Sequence, residues 1–318
     1  MSWAGPGRAQ LLLDFETVYD TDPSTPAAYK MPVESYGLKV DQPPLEVTTI
    51  GNANPSQPAY GQKDLNGPLV VPVDLDAIGH WLKLLLGAPN TTGSAAPYTH
   101  VFKKGNTIPS GVIDVGYPDA SCYYKNNGCK INTFSVNVGG NNPLTLSMNI
   151  LGGTQTKGTS ALDAAPTDYS LTYTRLNNCD VSAMYEGGSS STIIEQFNLT
   201  IDNQLDSAWG LAGGGVRTNI LRPKFKVTGN IIATFEGDAL LLKGRNHTES
   251  ALYTTLTSGS YSLKLDVPEL HFSQNAPPVE GPRGLRQDLT FWGYYANDAS
   301  ASAFIATLIN TQAAAVYA

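Results

Sequence analysis

Hydrophobic periodicity predicts one clear helix in a chain of otherwise short strands. Between Asp74 and Leu86, apolar residues recur at three- and four-residue intervals, while His80 and Lys83 fall on the opposite, polar face. Asp74 stands where an N-cap is expected, and Gly87 supplies the stop. The sequence therefore predicts an amphipathic helix over Asp74–Leu86 with one buried face.

Strict alternation of apolar and polar residues predicts the strands. Phe134, Val136 and Val138 alternate with polar residues, and after a GGNNP turn a second alternating run ends at Ile150. This pattern indicates a β-hairpin over residues 131–150 with one apolar and one polar face. Similar runs predict further strands over residues 33–40, 45–50, 69–73, 98–103, 197–202, 225–235, 261–267 and 287–295. A weaker helix, broken at Gly244, is predicted over residues 236–256, and a short terminal helix over 304–309.

Three segments lack such periodicity and are predicted to be irregular. Residues 1–32 form an arm whose Phe15, Val18 and Tyr19 are expected to anchor on a neighbouring surface. Residues 51–61 form a protruding loop, and residues 152–168 a linker. Each half of the chain contains hairpin strands and one helix. We therefore predict two units, 1–160 and 161–318, the second a candidate duplicate of the first.

Composition limits the kinds of partner. Only 15% of residues are charged and the net charge is −7, so surface polarity must come largely from Asn, Ser, Thr and Gln. Nucleic-acid binders concentrate Lys and Arg on one face, and no such cluster is present. The composition therefore argues against a protein that grips phosphates, although it is compatible with one that surrounds DNA without gripping it. No apolar run approaches the length of a membrane span.

The cysteines do not indicate a disulfide framework. There are three, and if Asn127-Gly128 forms a two-residue hairpin turn, Cys122 and Cys129 are separated by the strand register. Reduced, buried thiols are expected, in keeping with a protein made in the cytoplasm. The first residues do not resemble a signal peptide.

No arrangement of residues predicts catalysis. The four histidines lack neighbours at metal-ligand spacing, Gly-x-Ser-x-Gly is absent, and the glycine runs lack the Lys and Ser/Thr of a phosphate-binding loop. We predict no enzyme activity, no cofactor and no metal. The alternative is a carbohydrate-binding β-sandwich or glycosidase, with Asp14 and Glu16 as a carboxylate pair and Trp292 as a sugar-stacking side chain.

Several segments, taken in order, resemble the tail tube (major tail) proteins of long-tailed bacteriophages. In the first half these are ETVYDTDPSTP, YGQKDLNGPLVVPVDLDAIGHWLKLLLGAP and YYKNNGCKINTFSVNV; in the second they are FNLTIDNQL, KVTGNIIATF and LDVPELHF. The resemblance implies a mainly β fold, a β-sandwich or barrel with a flanking helix on its outside. It also implies a virion protein assembled in the cytoplasm of an infected bacterium.

The same resemblance implies the partners. Subunits are expected to form rings that stack into a tube, to contact the tape measure, tail terminator and distal tail or baseplate proteins, and to let genomic DNA pass without specific binding. The chain is nearly double the length of a compact tube subunit. Two arrangements remain open: a duplicated subunit in trimeric rings, or one enlarged domain in hexameric rings. Another virion component, such as a decoration, baseplate or fibre protein, is the alternative function.

Two groups of residues are predicted to act in assembly. By the resemblance, the protruding loop bridges rings through Asn54, Pro55, Gln57, Tyr60 and Gln62. The polar face of the predicted hairpin is expected to line the channel through Asn132, Ser135, Asn137, Thr145, Ser147 and Asn149.

Overall fold

Antiparallel strand pairing organises the chain. The computed structural model describes residues 5–48, 50–51, 53–54, 56–171, 174–279 and 284–318. The strands are β1 (Gln10–Phe15), β2 (Tyr29–Lys30), β3 (Ser35–Tyr36), β4 (Lys39–Asp41), β5 (Pro44–Leu45), β6 (Ala59–Tyr60), β7 (Asp64–Pro72), β8 (Asn90–Thr92), β9 (Tyr98–Lys103), β10 (Gly111–Tyr117), β11 (Cys122–Gly139), β12 (Thr145–Gly152), β13 (Gln155–Gly158), β14 (Thr167–Asp168), β15 (Val181–Glu186), β16 (Ser189–Ser190), β17 (Ile194–Asp202), β18 (Asp206–Ala208), β19 (Asn219–Leu221), β20 (Lys226–Thr234), β21 (Ser250–Ser258), β22 (Tyr261–Phe272), β23 (Arg286–Gly293) and β24 (Ile305–Asn310). The helices are α1 (Ile78–Leu86), α2 (Ala239–Arg245) and α3 (Ala314–Tyr317).

A central sheet spans both halves of the chain. Its order is β3 and β4, then β7, β12, β11, β17, β20, β23 and β22. The N-terminal parts of the long strands β11 and β22 extend beyond the central sheet. In these parts β11 pairs with β10 and β13, and β22 pairs with β21 and β24. The mainly β fold predicted from the sequence is confirmed, and its sheets are not closed into a barrel.

Alternation in the hairpin sequence explains how the central sheet packs. Phe134, Val136 and Val138 of β11 are buried, and Val136 lies opposite the buried Leu146 of β12. Because successive side chains of a strand point to opposite faces, the intervening polar residues face away from the core. The predicted hairpin over residues 131–150 is confirmed. The strands predicted over 69–73 and 98–103 are also present, as the end of β7 and as β9.

The helix is more enclosed than its pattern predicts. It begins at Ile78 and not at Asp74, whose carboxylate accepts the backbone N–H groups of Asp76 and Ala77 in the turn before it. It ends at Gly87, as predicted, with φ of 112°. Eight of its nine residues are buried, so other segments of the subunit cover the helix on nearly all sides. The prediction that His80 lies on a polar face is wrong, because His80 is fully buried.

Several segments predicted to be irregular are strands. The N-terminal arm contains β1, which pairs with β10 and β2, and its Leu12 and Leu13 are completely buried. The linker contains β13, paired with β11. The hairpin turn predicted at Asn127-Gly128 is wrong, because β11 continues through it with Gly128 at φ of 65°.

Two predicted helices are wrong for most of their length. In the stretch over 236–256 only α2 is helical, and residues from Ser250 onward form β21. Residues 305–309 of the predicted terminal helix belong to β24, which lies between β22 and β9. Most residues of β24 are buried, and the strand has a neighbouring strand along each edge. Of the described residues in the predicted strand over 45–50, Leu45 alone lies in a strand.

The two halves repeat one set of strand pairs. In the first half β10 pairs with β1, β7 with β4, and β12 with β7; β11 pairs with β12, β10 and β13. In the second half β21 pairs with β15, β20 with β17, and β23 with β20; β22 pairs with β23, β21 and β24. Helix α1 follows β7, and α2 follows β20. The pairs β10–β11 and β21–β22 carry a register shift at the same place, between Gly111 and Ile113 and between Ser250 and Leu252.

Residue registers agree with this repeat. In the first half Gly152 lies opposite Leu65, and in the second half Gly293 lies opposite Val227. When these two pairs are aligned, Gly67 of the first half corresponds to Gly229 of the second. At each glycine the strand beside it comes so close that a Cβ atom would lie 2.2 Å from the carbonyl oxygen of Gly37 and 2.1 Å from that of Asn198. Gly37 and Asn198 are themselves counterparts, in the segments YGLKVD and FNLTID. A close backbone approach that only glycine permits is thus repeated at one position of each half.

Candidate assembly surfaces

The predicted channel residues lie together on one face of the central sheet, with one exception. Ser135 and Asn137 of β11 and Thr145, Ser147 and Asn149 of β12 all point away from the core, because their neighbours in each strand are buried. Ser135 lies directly opposite Ser147, and its hydroxyl donates to the Ser147 carbonyl at 3.4 Å. These five residues therefore form one polar surface.

Asn132 does not belong to this surface. It lies at the register shift between Ile131 and Thr133, where β11 has one extra residue. Its side-chain Oδ1 accepts the backbone N–H of Leu205 at 2.9 Å, and its carbonyl accepts that of Asn203 at 2.8 Å. Asn132 therefore holds the loop after β17.

The second half extends the polar surface across β17, β20 and β23. Asn198 donates to Oδ1 of Asn230 at 3.0 Å, and Asn230 donates to Oδ1 of Asp288 at 2.9 Å, which links the three strands. We call the whole surface the polar face; its second-half members are Asn198, Thr200, Thr228, Asn230, Asp288 and Thr290. These residues were not predicted from the sequence, although the alternation of Phe197, Leu199 and Ile201 with polar residues indicates that Asn198 and Thr200 face away from the core.

The polar face is nearly neutral. Its middle consists mainly of hydroxyl and amide side chains, with Asp288 as the charged group among the residues named above; Trp292, opposite Thr228, and Ile232, opposite Asp288, lie on the same face. Charges concentrate at the strand ends, where Arg286 contacts Glu195 at 2.8 Å and Lys226 lies opposite Asp202. A shallow depression of about 220 Å³ between β11, β12 and β17 is lined mainly by these Asn, Ser and Thr side chains. The face offers hydrogen bonds to water and no cluster of cations for phosphate.

The protruding loop is carried by a separate small hairpin. Strands β5 and β6 pair only with each other among the described residues, and Gln42 donates to the carbonyl of Gly61 at 3.0 Å at its base. Of the predicted contact residues, Asn54, Gln57, Tyr60 and Gln62 are exposed, and Pro55 lies outside the described residues. Exposed apolar side chains accompany them on the hairpin and loop: Leu45, Val47, Ile50 and Tyr60.

The carboxylate pair considered for glycosidase chemistry is engaged in structural hydrogen bonds. Asp14 accepts the backbone N–H of Ala27 at 3.0 Å. Glu16 accepts the N–H of Gly128 at 2.7 Å and the hydroxyl of Ser110 at 2.6 Å. Burial raises the pKa of Glu16, and these hydrogen bonds oppose that shift. Glu16 thereby fastens the end of the N-terminal strand to β11, and Asp14 fastens that strand to the segment before β2.

The histidines and cysteines are dispersed. The rings of Tyr29, Tyr169 and Tyr317 pack around His80, with centroids 3.8, 5.6 and 5.0 Å from its own. Burial lowers the pKa of His80 to about 3, and the charge of Lys83 adds to this shift. In the described ranges no three His, Cys, Asp or Glu residues come close enough to hold a metal ion. The three cysteines are free thiols, of which Cys129 is buried and Cys179 exposed. No described helix has the length and apolar character needed to span a bilayer.

The fold and these surfaces define a mainly β structural subunit with a broad polar sheet face and an exposed apolar hairpin. The sequence matches the family model described as phage tail tube protein over residues 7–292, and the chain belongs to this family. No curated protein matches it. The protein is therefore a structural component of the phage tail, of a kind that self-assembles and associates with other tail proteins.

Proposed function

We propose that the protein assembles into rings that stack as the tail tube, and that the polar face lines the channel through which DNA is ejected. The observation that carries this proposal is the near-neutral polar face, which spans a sheet shared by both halves. Duplex DNA is held by Lys and Arg side chains that neutralise its phosphates. The middle of this face, mainly Asn, Ser and Thr with the carboxylate of Asp288, offers no such hold, and the basic side chains at its ends lie beside acidic ones, so the polymer slides along it.

The repeated strand pairs support a duplicated subunit. Each chain supplies two similar units, approximately 1–160 and 161–318, which share the central sheet through β11 and β17. Three chains then form a ring of six similar units, and we favour this trimeric ring over a hexamer of enlarged domains. The division is not complete, because β9 of the first half pairs with β24 of the second.

The exposed hairpin loop supports a contact between rings. Ile50 is 106% exposed and Tyr60 66% exposed in the subunit. A cluster of apolar side chains that protrudes on a narrow hairpin gains stability when a second surface covers it. We assign the bridge between stacked rings to this loop, with Asn54, Pro55, Gln57, Tyr60 and Gln62 as its contact residues.

The remaining partners follow from the position of a tube in the virion. The two ends of the stack meet the tail terminator and the distal tail or baseplate proteins, and the channel holds the tape measure protein before DNA. Rings form in the cytoplasm of the infected bacterium and are found in the tail of the virion.

Electron microscopy of the purified protein tests this function. A tube subunit forms hollow filaments with a regular axial ring repeat. A decoration, baseplate or fibre protein forms no hollow filament, and that result would reject the assignment.

A further inference from the structure

One strand pair inside the chain provides a template for a contact between copies. Residues 133–139 of β11 run antiparallel to residues 196–202 of β17, and this pair joins the two halves in the central sheet. β17 is the counterpart of β3 and β4, because it lies beside β20 as they lie beside β7. The pairing of β17 with β11 therefore indicates which kind of strand can pair with the corresponding edge of β3 and β4.

That edge borders an open groove. Among the described residues, β3 and β4 pair with β7 alone. A groove of about 540 Å³ lies along β3 and is lined in part by Leu11, Val33, Tyr36 and Val115. The counterparts of these residues in the second half line a groove of only about 210 Å³, to which β11 contributes Val138 and Gly139 as one wall. Those counterparts are Met184, Ile194, Phe197 and Thr254.

In the first half, no described strand occupies the position that β11 occupies beside the second-half groove. The segment after β22 is the second-half counterpart of that part of β11. Ile131 lies opposite Ile150, and Phe272 lies opposite Phe291, at the same place in the repeat. When Ser273 is matched to the extra residue Asn132 of β11, counting forward from each residue places Val279 where Val138 stands. Val138 is 4% exposed, whereas Val279 is 80% exposed. The first-half groove thus lacks an apolar residue, and an equivalent residue is left uncovered in the segment that follows β22.

We propose that residues 274–279 of one copy pair antiparallel with residues 36–41 of the next copy, so that Val279 enters the groove beside Tyr36. The register follows that of the internal pair: Val279 opposite Tyr36 as Val138 is opposite Phe197, and Ala276 opposite Lys39 as Ser135 is opposite Thr200. This contact rests on the proposed ring and continues its central sheet from each copy to the next.

Two prolines limit how this segment pairs. Pro277 and Pro278 have no backbone N–H, so they weaken any ladder that residues 274–279 form. Prolines on exposed edges protect a sheet from indiscriminate pairing with other strands. The contact therefore depends on the fit of Val279 into its groove, which selects the correct partner edge.

Cysteine cross-linking of the full-length chain tests the register. Lys39 and Ala276 are both exposed in the free subunit, so the variant Lys39→Cys/Ala276→Cys should fold normally. Directly opposed Cβ atoms in antiparallel strands lie close enough for a disulfide after small adjustment. Mild oxidation of assembled tubes should give a covalent trimer on denaturing gels. The matched control, Lys39→Cys/Val279→Cys, offsets the pair by three residues, about 10 Å along the strand, and should give none.

A second variant tests the apolar contact separately. Val279→Asp should leave the melting temperature of the free subunit unchanged and abolish ring formation, whereas Val279→Ile should assemble normally. Tubes that form without the Lys39→Cys/Ala276→Cys cross-link, or that tolerate Val279→Asp, would overturn this contact and leave the tube function standing. A wild-type chain that never forms rings would overturn the proposed function itself.

Discussion

His80 is expected to make the subunit sensitive to acid. It is fully buried, and neither ring nitrogen has a hydrogen-bond partner among the described residues. Its pKa is about 3 in the folded chain, against 6.5 for an unburied histidine. Because the folded-state pKa is lowered, the stabilisation is present above pH 6.5 and is lost as the pH falls towards 3.

The size of this effect follows from the pKa difference. Unfolding lets His80 take up a proton, so the free energy of unfolding falls by about 2.6 kcal/mol between pH 7 and pH 4.5, with a slope that approaches about 1.4 kcal/mol per pH unit below pH 6. The variant His80→Leu removes this titration. Relative to wild type, its free energy of unfolding should therefore rise by about 2.6 kcal/mol between pH 7 and pH 4.5, whatever the difference between the two proteins at pH 7.

Urea denaturation of the unassembled subunit at the two pH values measures this difference. Comparing each variant with wild type cancels the buried carboxylates, whose shifts have the opposite sign. The control is His247→Asn, because His247 is exposed and Asn tolerates its φ of 51°. An equal pH dependence for His80→Leu and wild type would refute the buried, neutral state of His80.

Three further predictions concern the sheet, the loop and the channel. Gly229→Ala places a Cβ 2.1 Å from the carbonyl oxygen of Asn198 and should destabilise the subunit by several kcal/mol in urea denaturation, roughly 3 or more, whereas Gly237→Ala, in open space, should not. Deleting residues 57–62 should leave subunits that fold but form no tubes in electron micrographs; normal tubes would reject the loop assignment. Ser147→Lys should make assembled tubes retain duplex DNA in filter binding, with retention lost at high salt, unlike wild type.

The hairpin and the strands with clear alternation could be predicted because one face of each is buried and the other is exposed to solvent. Pattern reading failed where both faces or both edges are covered. Leu12 and Leu13 are completely buried, and their continuous apolar run lacks the alternation that predicts a strand. The residues of β24 fit a helical period equally well, and only pairing with β22 and β9 decides between the two. His80 was placed on a polar face because the sequence does not show that aromatic rings cover that side of the helix.

The residues of the candidate surfaces could be predicted only in part. Alternation shows which residues face away from the core, but it does not show where the strand register shifts. Ser135, Asn137 and Ser147 followed directly from alternation in the hairpin. Asn132 was misplaced with them, since one extra residue in β11 shifts the register and no sequence signal marks it. The repeat between the halves is visible mainly in strand pairing, because its identities, such as Gly67 with Gly229, are few and scattered.

A cryo-electron microscopy reconstruction of tubes formed by the purified protein tests the central claim most directly. The account predicts a hollow tube with three chains in each ring and with Asn137, Ser147 and Thr290 facing the axis. A tube with these side chains on its outer surface, or with basic side chains lining its channel, would contradict it.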